Sequence, residues 1–144
     1  MTTPPAVPVL RCRLAFPAGP GSGVEKGIAF TRLALADWFP GVDRRAVWEA
    51  VLVTAELLAN AATHAGGPLT LDLYRIPENR VGIAVSDTST DRPQLQPLSP
   101  HTPGGHGLRI VDRLARAWGS SPTTTGGKTV WAEYDLAPPA RGGG

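Results

Sequence analysis

Cysteine occurs once in this 144-residue chain, methionine once and lysine twice, and no run of 18 consecutive apolar residues is present. The single thiol, Cys12, cannot close an internal disulfide, in agreement with a reducing compartment. Without a long apolar run no membrane span is expected, and without a basic start followed by a sustained apolar stretch no export signal. A cytoplasmic protein is the expectation. The formal net charge is only +2 and the basic residues are scattered, so the chain lacks the Lys/Arg stripe with interleaved aromatics that a nucleic-acid groove needs. Nor is there an internal repeat. What is plentiful is glycine, at 17, and proline, at 15, much of it at the two ends and in one central loop. The hydrophobic share of 42% and charged share of 18% are those of an ordinary globular protein. This length suits one domain that buries about two-thirds of its unfolded surface.

The run at 47–65, VWEAVLVTAELLANAATHA, organises the rest. At about 100° of rotation per residue, Glu49, Glu56, Asn60 and Thr63 share one narrow stripe with His64 at its edge, and nearly everything else is apolar. A helix apolar most of the way round belongs in a core. There the carboxylate of Glu56 and the amide of Asn60 need partners, because burying either unpaired is costly. At i and i+4 they point into one space, a turn apart, and that space suits a ligand. The same stripe also suits an amphipathic helix whose polar face meets water, and periodicity alone does not choose.

Residues 1–9 read as a loose arm, and Leu10–Phe16 alternates as a first strand. A helix is expected from Val24 to Phe39, ended by Pro40-Gly41, with Asp43 as N-cap of the next. That second helix stops at Gly66-Gly67-Pro68. Strands at 69–76 and 81–87 follow as a hairpin around Pro77-Glu78-Asn79-Arg80. Val81, Ile83 and Val85 share one face of the second strand, and Asp87 falls on that face as well. A carboxylate there needs a donor, although a strand-terminal Asp is commonly a turn former. Residues 88–106 carry four prolines and no periodicity, the signature of a lid, binding loop or disordered segment. They lead into Gly104-Gly105-His106-Gly107 and a helix with Leu108, Val111, Leu114, Ala115 and Trp118 inward and Gly119 as C-cap. A glycine-rich turn at a helix start offers bare N–H groups and the positive end of the helix dipole, which suits phosphate. A second hairpin, 121–125 with 128–136, is expected around a two-residue Gly126-Gly127 turn, and 137–144 as a disordered tail.

A helix with Glu and Asn four apart, a strand ending in Asp, and a glycine-rich loop opening a helix thus occur in fixed order. This combination resembles the GHKL ATPase superfamily. ELLANAATHA (56–65) is similar to its N-box, DTSTDRP (87–93) to its adenine-binding box, GGHGLRIV (104–111) to its phosphate-binding box and GGKTVWAEY (126–134) to its final Gly/Thr box. The short boxes and small size look most like the anti-sigma-factor serine/threonine kinases. The resemblance implies a Bergerat fold, an α/β (α+β) two-layer sandwich with helices on one face of a mixed, mainly antiparallel sheet, formed by residues 10–136 as a single histidine-kinase-like ATP-binding domain.

It also implies roles. Glu56 would be the general base, and Asn60 would hold Mg²⁺ through its amide oxygen. Asp87 would accept a hydrogen bond from the exocyclic amine of adenine. Gly105, His106, Gly107 and Leu108 would give N–H groups to the phosphates, and Thr129 would support the adenine end near Asp87. Where the wider superfamily has glycines in its adenine box, this chain has Ser89 and Asp91. Small anti-sigma-like members keep a Ser and a nearby Pro, as Ser89 and Pro93 do here, which implies that adenine binding is retained. No phosphate-accepting His stands where a sensor kinase needs one, His64 reads as a helix-edge packing residue, and His101 and His106 lack a third metal ligand. The implied function is an ATP-binding anti-sigma-factor-type regulator with Mg²⁺ and ATP as cofactors. It would phosphorylate an anti-anti-sigma (STAS-like) antagonist on Ser or Thr and sequester a sigma factor. A nucleotide-gated protein-binding module without kinase activity is the alternative, a ligand-free structural domain a third reading, and homodimerisation is left open.

Overall fold

The computed structural model describes residues 10–17, 23–64, 67–90 and 107–136. The arm expected at 1–9, most of the central loop (91–106) and the tail (137–144) lie outside the described residues. The elements run β1 (Leu10–Ala15), α1 (Gly23–Trp38), α2 (Arg44–His64), β2 (Thr70–Ile76), β3 (Arg80–Asp87), α3 (Gly107–Leu114), β4 (Ala117–Pro122) and β5 (Lys128–Asp135). The strands form one sheet in the order β1-β2-β3-β5-β4. Every pairing is antiparallel, so the expected mainly antiparallel sheet has no parallel member among the described residues.

The α2 helix starts where expected: Asp43 Oδ1 accepts the Arg45 backbone N–H at 3.4 Å, satisfying one of the free donors of the first turn. At its other end Gly67, with φ at 123°, donates its N–H to the Ala61 carbonyl at 3.0 Å, a closure that asks for glycine's left-handed freedom. Between them Ala50, Val53, Leu57, Leu58 and Ala61 are buried against Leu71, Leu73, Val81, Ile83, Val85, Val130 and Ala132 of the sheet. Each large apolar side chain removed from water in this way stabilises the fold by about 1.5–3 kcal/mol. By length and composition Arg44–Thr63 could cross a membrane, at a mean hydropathy of 1.2, but here it is the central core helix. Its neighbours are α1, α3, β3 and β5. The α1 helix approaches closely at Gly27, where a Cβ would overlap Leu58 Cδ1.

Strand alternation separates two faces. Leu71, Leu73, Val81, Ile83, Val85 and Asp87 look toward the helices, and Asp72, Ala84, Ser86 and Glu133 look away. The outward face is charged and paired. Arg13 Nε meets Asp72 at 2.7 Å, Arg80 reaches Asp135 at 2.8 Å and Glu133 at 3.5 Å, and Arg116 meets Asp135 at 3.3 Å.

Two expectations are corrected here. The third helix stops at Leu114, and Trp118 and Gly119 belong to strand β4, with the Arg116 N–H already donating to Glu133 at 2.7 Å. Trp118 fits helical spacing from Leu114 and does pack on the core, but from the sheet, with its indole N–H on Asp112 Oδ1 at 2.9 Å. The turn between β4 and β5 also spans Thr123–Gly127 rather than two glycines. Thr123 organises it: its N–H donates to the Gly127 carbonyl at 2.9 Å, and its hydroxyl accepts the Gly127 N–H at 3.0 Å.

Candidate functional site

The polar stripe of α2 divides when its neighbours are in place. Glu49, in the first half of the helix, accepts the Tyr134 hydroxyl of β5 at 2.7 Å and an Arg45 Nε–H at 3.3 Å. Burial, reinforced by that hydrogen bond to Glu49, raises the Tyr134 hydroxyl far above the usual phenol range. This is a structural tie between helix and sheet. Seven residues on, Glu56 is half-buried, and burial lifts its carboxyl above the usual carboxylate range. Asn60, one turn further, is half-buried too. Among the described residues neither Glu56 nor Asn60 has a hydrogen-bond partner.

Six carboxylates in the described structure are buried or half-buried: Glu49, Glu56, Asp72, Asp87, Glu133 and Asp135. Five of them hold a positive or hydrogen-bonding partner. Glu56 is the exception among the described residues. A carboxylate with a raised proton affinity and open lone pairs is equipped to accept a proton from something outside the fold.

Asp87 closes β3 on the helix-facing side and is only 1% exposed. Its need for donors is met within the chain, which the sequence did not disclose. Lys128, at the first position of β5, stands directly opposite it in the register. The Lys128 ammonium lies 3.0 Å from each Asp87 oxygen, and the Ser89 backbone N–H adds a third hydrogen bond to Oδ1 at 2.9 Å. Both side chains of the pair are buried, Lys128 to 7% exposure. The approach depends on Gly127, where a Cβ would overlap the Asp87 carbonyl oxygen. Thr129, expected near Asp87, is not brought to it: alternation turns its hydroxyl to the other face of the sheet, where it shares a 2.8 Å hydrogen bond with Ser86.

Of the phosphate-box residues, Gly105 and His106 lie outside the described residues, Gly107 opens α3 and Leu108 is buried at 5% exposure. The α3 helix packs on α2, so the expected phosphate end and the Glu56 helix belong to one layer. Glu56 and Asn60 were findable from their spacing. Lys128 was findable only by aligning the two hairpins, since a lysine after a glycine turn ordinarily reads as solvent-exposed.

The model of the histidine kinase-like ATPase domain matches residues 26–134, well over half of the chain. A search of curated proteins returns no significant match. Among solved structures, the RsbU and RsbW domains of Rv1364c from Mycobacterium tuberculosis superpose with a TM-score of 0.66 at 19% identity, over 93% of this chain and 34% of that one. Full-length ShkA in complex with AMPPNP superposes with a TM-score of 0.53 at 18% identity, over 94% of this chain and 34% of that one. The present chain thus spans about a third of the length of either, and at these identities the likeness is one of fold. The boxes of the sequence, the antiparallel sheet under three helices and the extent of the family match converge: the chain belongs to the family of histidine kinase-like ATPase domains.

Proposed function

We propose that this cytoplasmic domain, comprising residues 10–136, binds Mg-ATP between α2 and the end of β3. It transfers the γ-phosphate to a Ser or Thr of an antagonist protein of the STAS-like, anti-anti-sigma kind, and holds a sigma factor when not so engaged. The observation that carries this reading is the Glu56 carboxylate. It is the one interior carboxylate without a partner among the described residues, its carboxyl is raised by burial, and it stands one helical turn from an equally unpartnered amide. Family membership supports the nucleotide, and the likeness in fold to a structure containing an RsbW domain fits a domain that engages a partner protein.

In this reading the attacking hydroxyl gives its proton to Glu56 as its oxygen bonds to the γ-phosphorus, and the bond to the β–γ bridging oxygen breaks to release ADP. Asn60 supplies a hard amide oxygen a turn from Glu56, and among the described residues no cluster of three His, Cys, Asp or Glu side chains could hold a metal by itself. That arrangement fits a Mg²⁺ ion carried in with the phosphates, with Asn60 as its protein ligand. When bound, the ion neutralises charge on the phosphate oxygens. Asp87 receives the adenine amine beside Ser89, the N–H groups of Gly105, His106, Gly107 and Leu108 receive the phosphates, and Thr129 braces the strand beneath the base through Ser86.

Incubation with labelled ATP and STAS-like candidate proteins tests this. Glu56→Gln keeps the size of the side chain but not its proton affinity, so transfer is expected to fall by about 10²–10⁴ with little change in nucleotide affinity measured by calorimetry. If wild type transfers no phosphate to any candidate, and Glu56→Gln captures partners in ATP as wild type does, the domain is a nucleotide-gated binding module.

A further inference from the structure

The Asp87–Lys128 pair is more than a carboxylate. An ammonium carries three N–H donors and an ionised carboxylate has about four lone-pair positions. In this pair two donors and two lone pairs are spent on each other, since Lys128 Nζ lies 3.0 Å from both Asp87 oxygens, and the Ser89 N–H takes a further lone pair at 2.9 Å. Among the described residues this leaves one Lys128 N–H donor and one Asp87 lone-pair position without a partner. Both side chains are nearly excluded from water, so a ligand group facing them is read by hydrogen bonding and not by competition with solvent.

Resting on the reading above, in which Asp87 faces the purine, we infer that Lys128 sets the base specificity of this site and that it accepts 6-oxopurine as well as 6-aminopurine nucleotides. A lone buried carboxylate can only accept. It suits the 6-amino group of adenine and repels the 6-oxo group of hypoxanthine or guanine. A carboxylate with an ammonium beside it offers both polarities. The adenine edge presents a donor at the 6-amino group and an acceptor at N1; the 6-oxopurine edge presents a donor at N1 and an acceptor at O6. Each finds its complement in the pair. In this site Lys128 removes the unpaired buried contact on which rejection of the wrong base depends. Gly127 makes the pair's geometry available, because a side chain there would force the start of β5 off the Asp87 carbonyl.

Mg-ATP and Mg-ITP differ at the purine 6-position and its tautomeric neighbour N1, so their affinities for the full chain, measured by calorimetry on wild type and Lys128→Met, read this contact. The expected result is wild-type affinities within about tenfold of each other, and a Lys128→Met protein whose ITP-to-ATP affinity ratio is lower by about tenfold or more. Thermal melts accompany each titration, because removing Lys128 leaves a buried charge uncompensated. Should the variant not fold, the wild-type ratio decides alone. Rejection of ITP by wild type beyond about a hundredfold, or an unchanged ratio in a folded Lys128→Met, overturns the inference while ATP binding itself stands. Failure of wild type to bind either nucleotide overturns the proposed function, and this inference with it.

Discussion

Glu56 costs this fold stability once its carboxyl is ionised. Burial raises its carboxyl above the usual range, so the folded chain holds that proton to higher pH than the unfolded chain does. Between the two values the folded state carries more protons, stability falls as pH rises through the window, and the full penalty persists above it. Glu56→Gln has no charge to desolvate. It is expected to melt at a higher temperature than wild type near about pH 8, with the difference closing toward about pH 4, where the carboxylate is largely protonated in both states. Melting curves across that range check it, and a difference independent of pH would show that the carboxylate is not penalised. A residue kept at the expense of stability is what a functional carboxylate looks like. Glu56 and Asn60 were legible in the sequence because helical periodicity fixes which side chains share a face. Lys128 was not, because its partner is decided by cross-strand register, which no local pattern encodes.

The strands show the same division between local and non-local information. The α2 helix declared itself through its apolar spacing, its Asp43 cap and the glycines at its end, all of which act within a turn or two of chain. Strand β4, AWGSSP, has no alternation of its own. Its conformation comes from pairing with β5, and its Trp118 completes a helical pattern begun at Leu108, so the sequence favoured a longer third helix. The turn that joins these strands carries a prediction at this scale. Gly126 has φ at +97° with open space around it, and Gly127 lies against the Asp87 carbonyl. Gly126→Ala meets only the backbone penalty of a Cβ at positive φ, about 1–2 kcal/mol. Gly127→Ala carries no such backbone penalty but has to move β5 off the β3 backbone, at about 1–3 kcal/mol or more, the usual cost of overpacking. Urea denaturation of the two variants is expected to rank Gly127→Ala as the less stable. An equal loss would mean that the close approach is easily relaxed.

At the scale of the whole molecule, the sheet keeps its two kinds of chemistry apart. Its helix-facing side holds the apolar core and, at one end, the Asp87–Lys128 pair. Its other side is bound by arginine–carboxylate ladders. Exposed large hydrophobic side chains are few among the described residues, with Leu33 of α1 at 73% and Trp48 of α2 at 58% the most accessible of them. The chain has only two lysines, and they sit at opposite extremes of accessibility: Lys26 is exposed on α1, and Lys128 is nearly sealed beneath the end of β3. Acylation by an amine-directed reagent therefore distinguishes them by position alone. Lys26 modifies at the rate of a free surface amine, and Lys128, held on Asp87 and nearly buried, far more slowly. The ratio of the two, followed by mass spectrometry, is expected to be small in the native chain and to approach one in denaturant. A simple acetyl transfer thus becomes a clock for how often the Asp87–Lys128 pair comes apart, with its reference built into the same polypeptide.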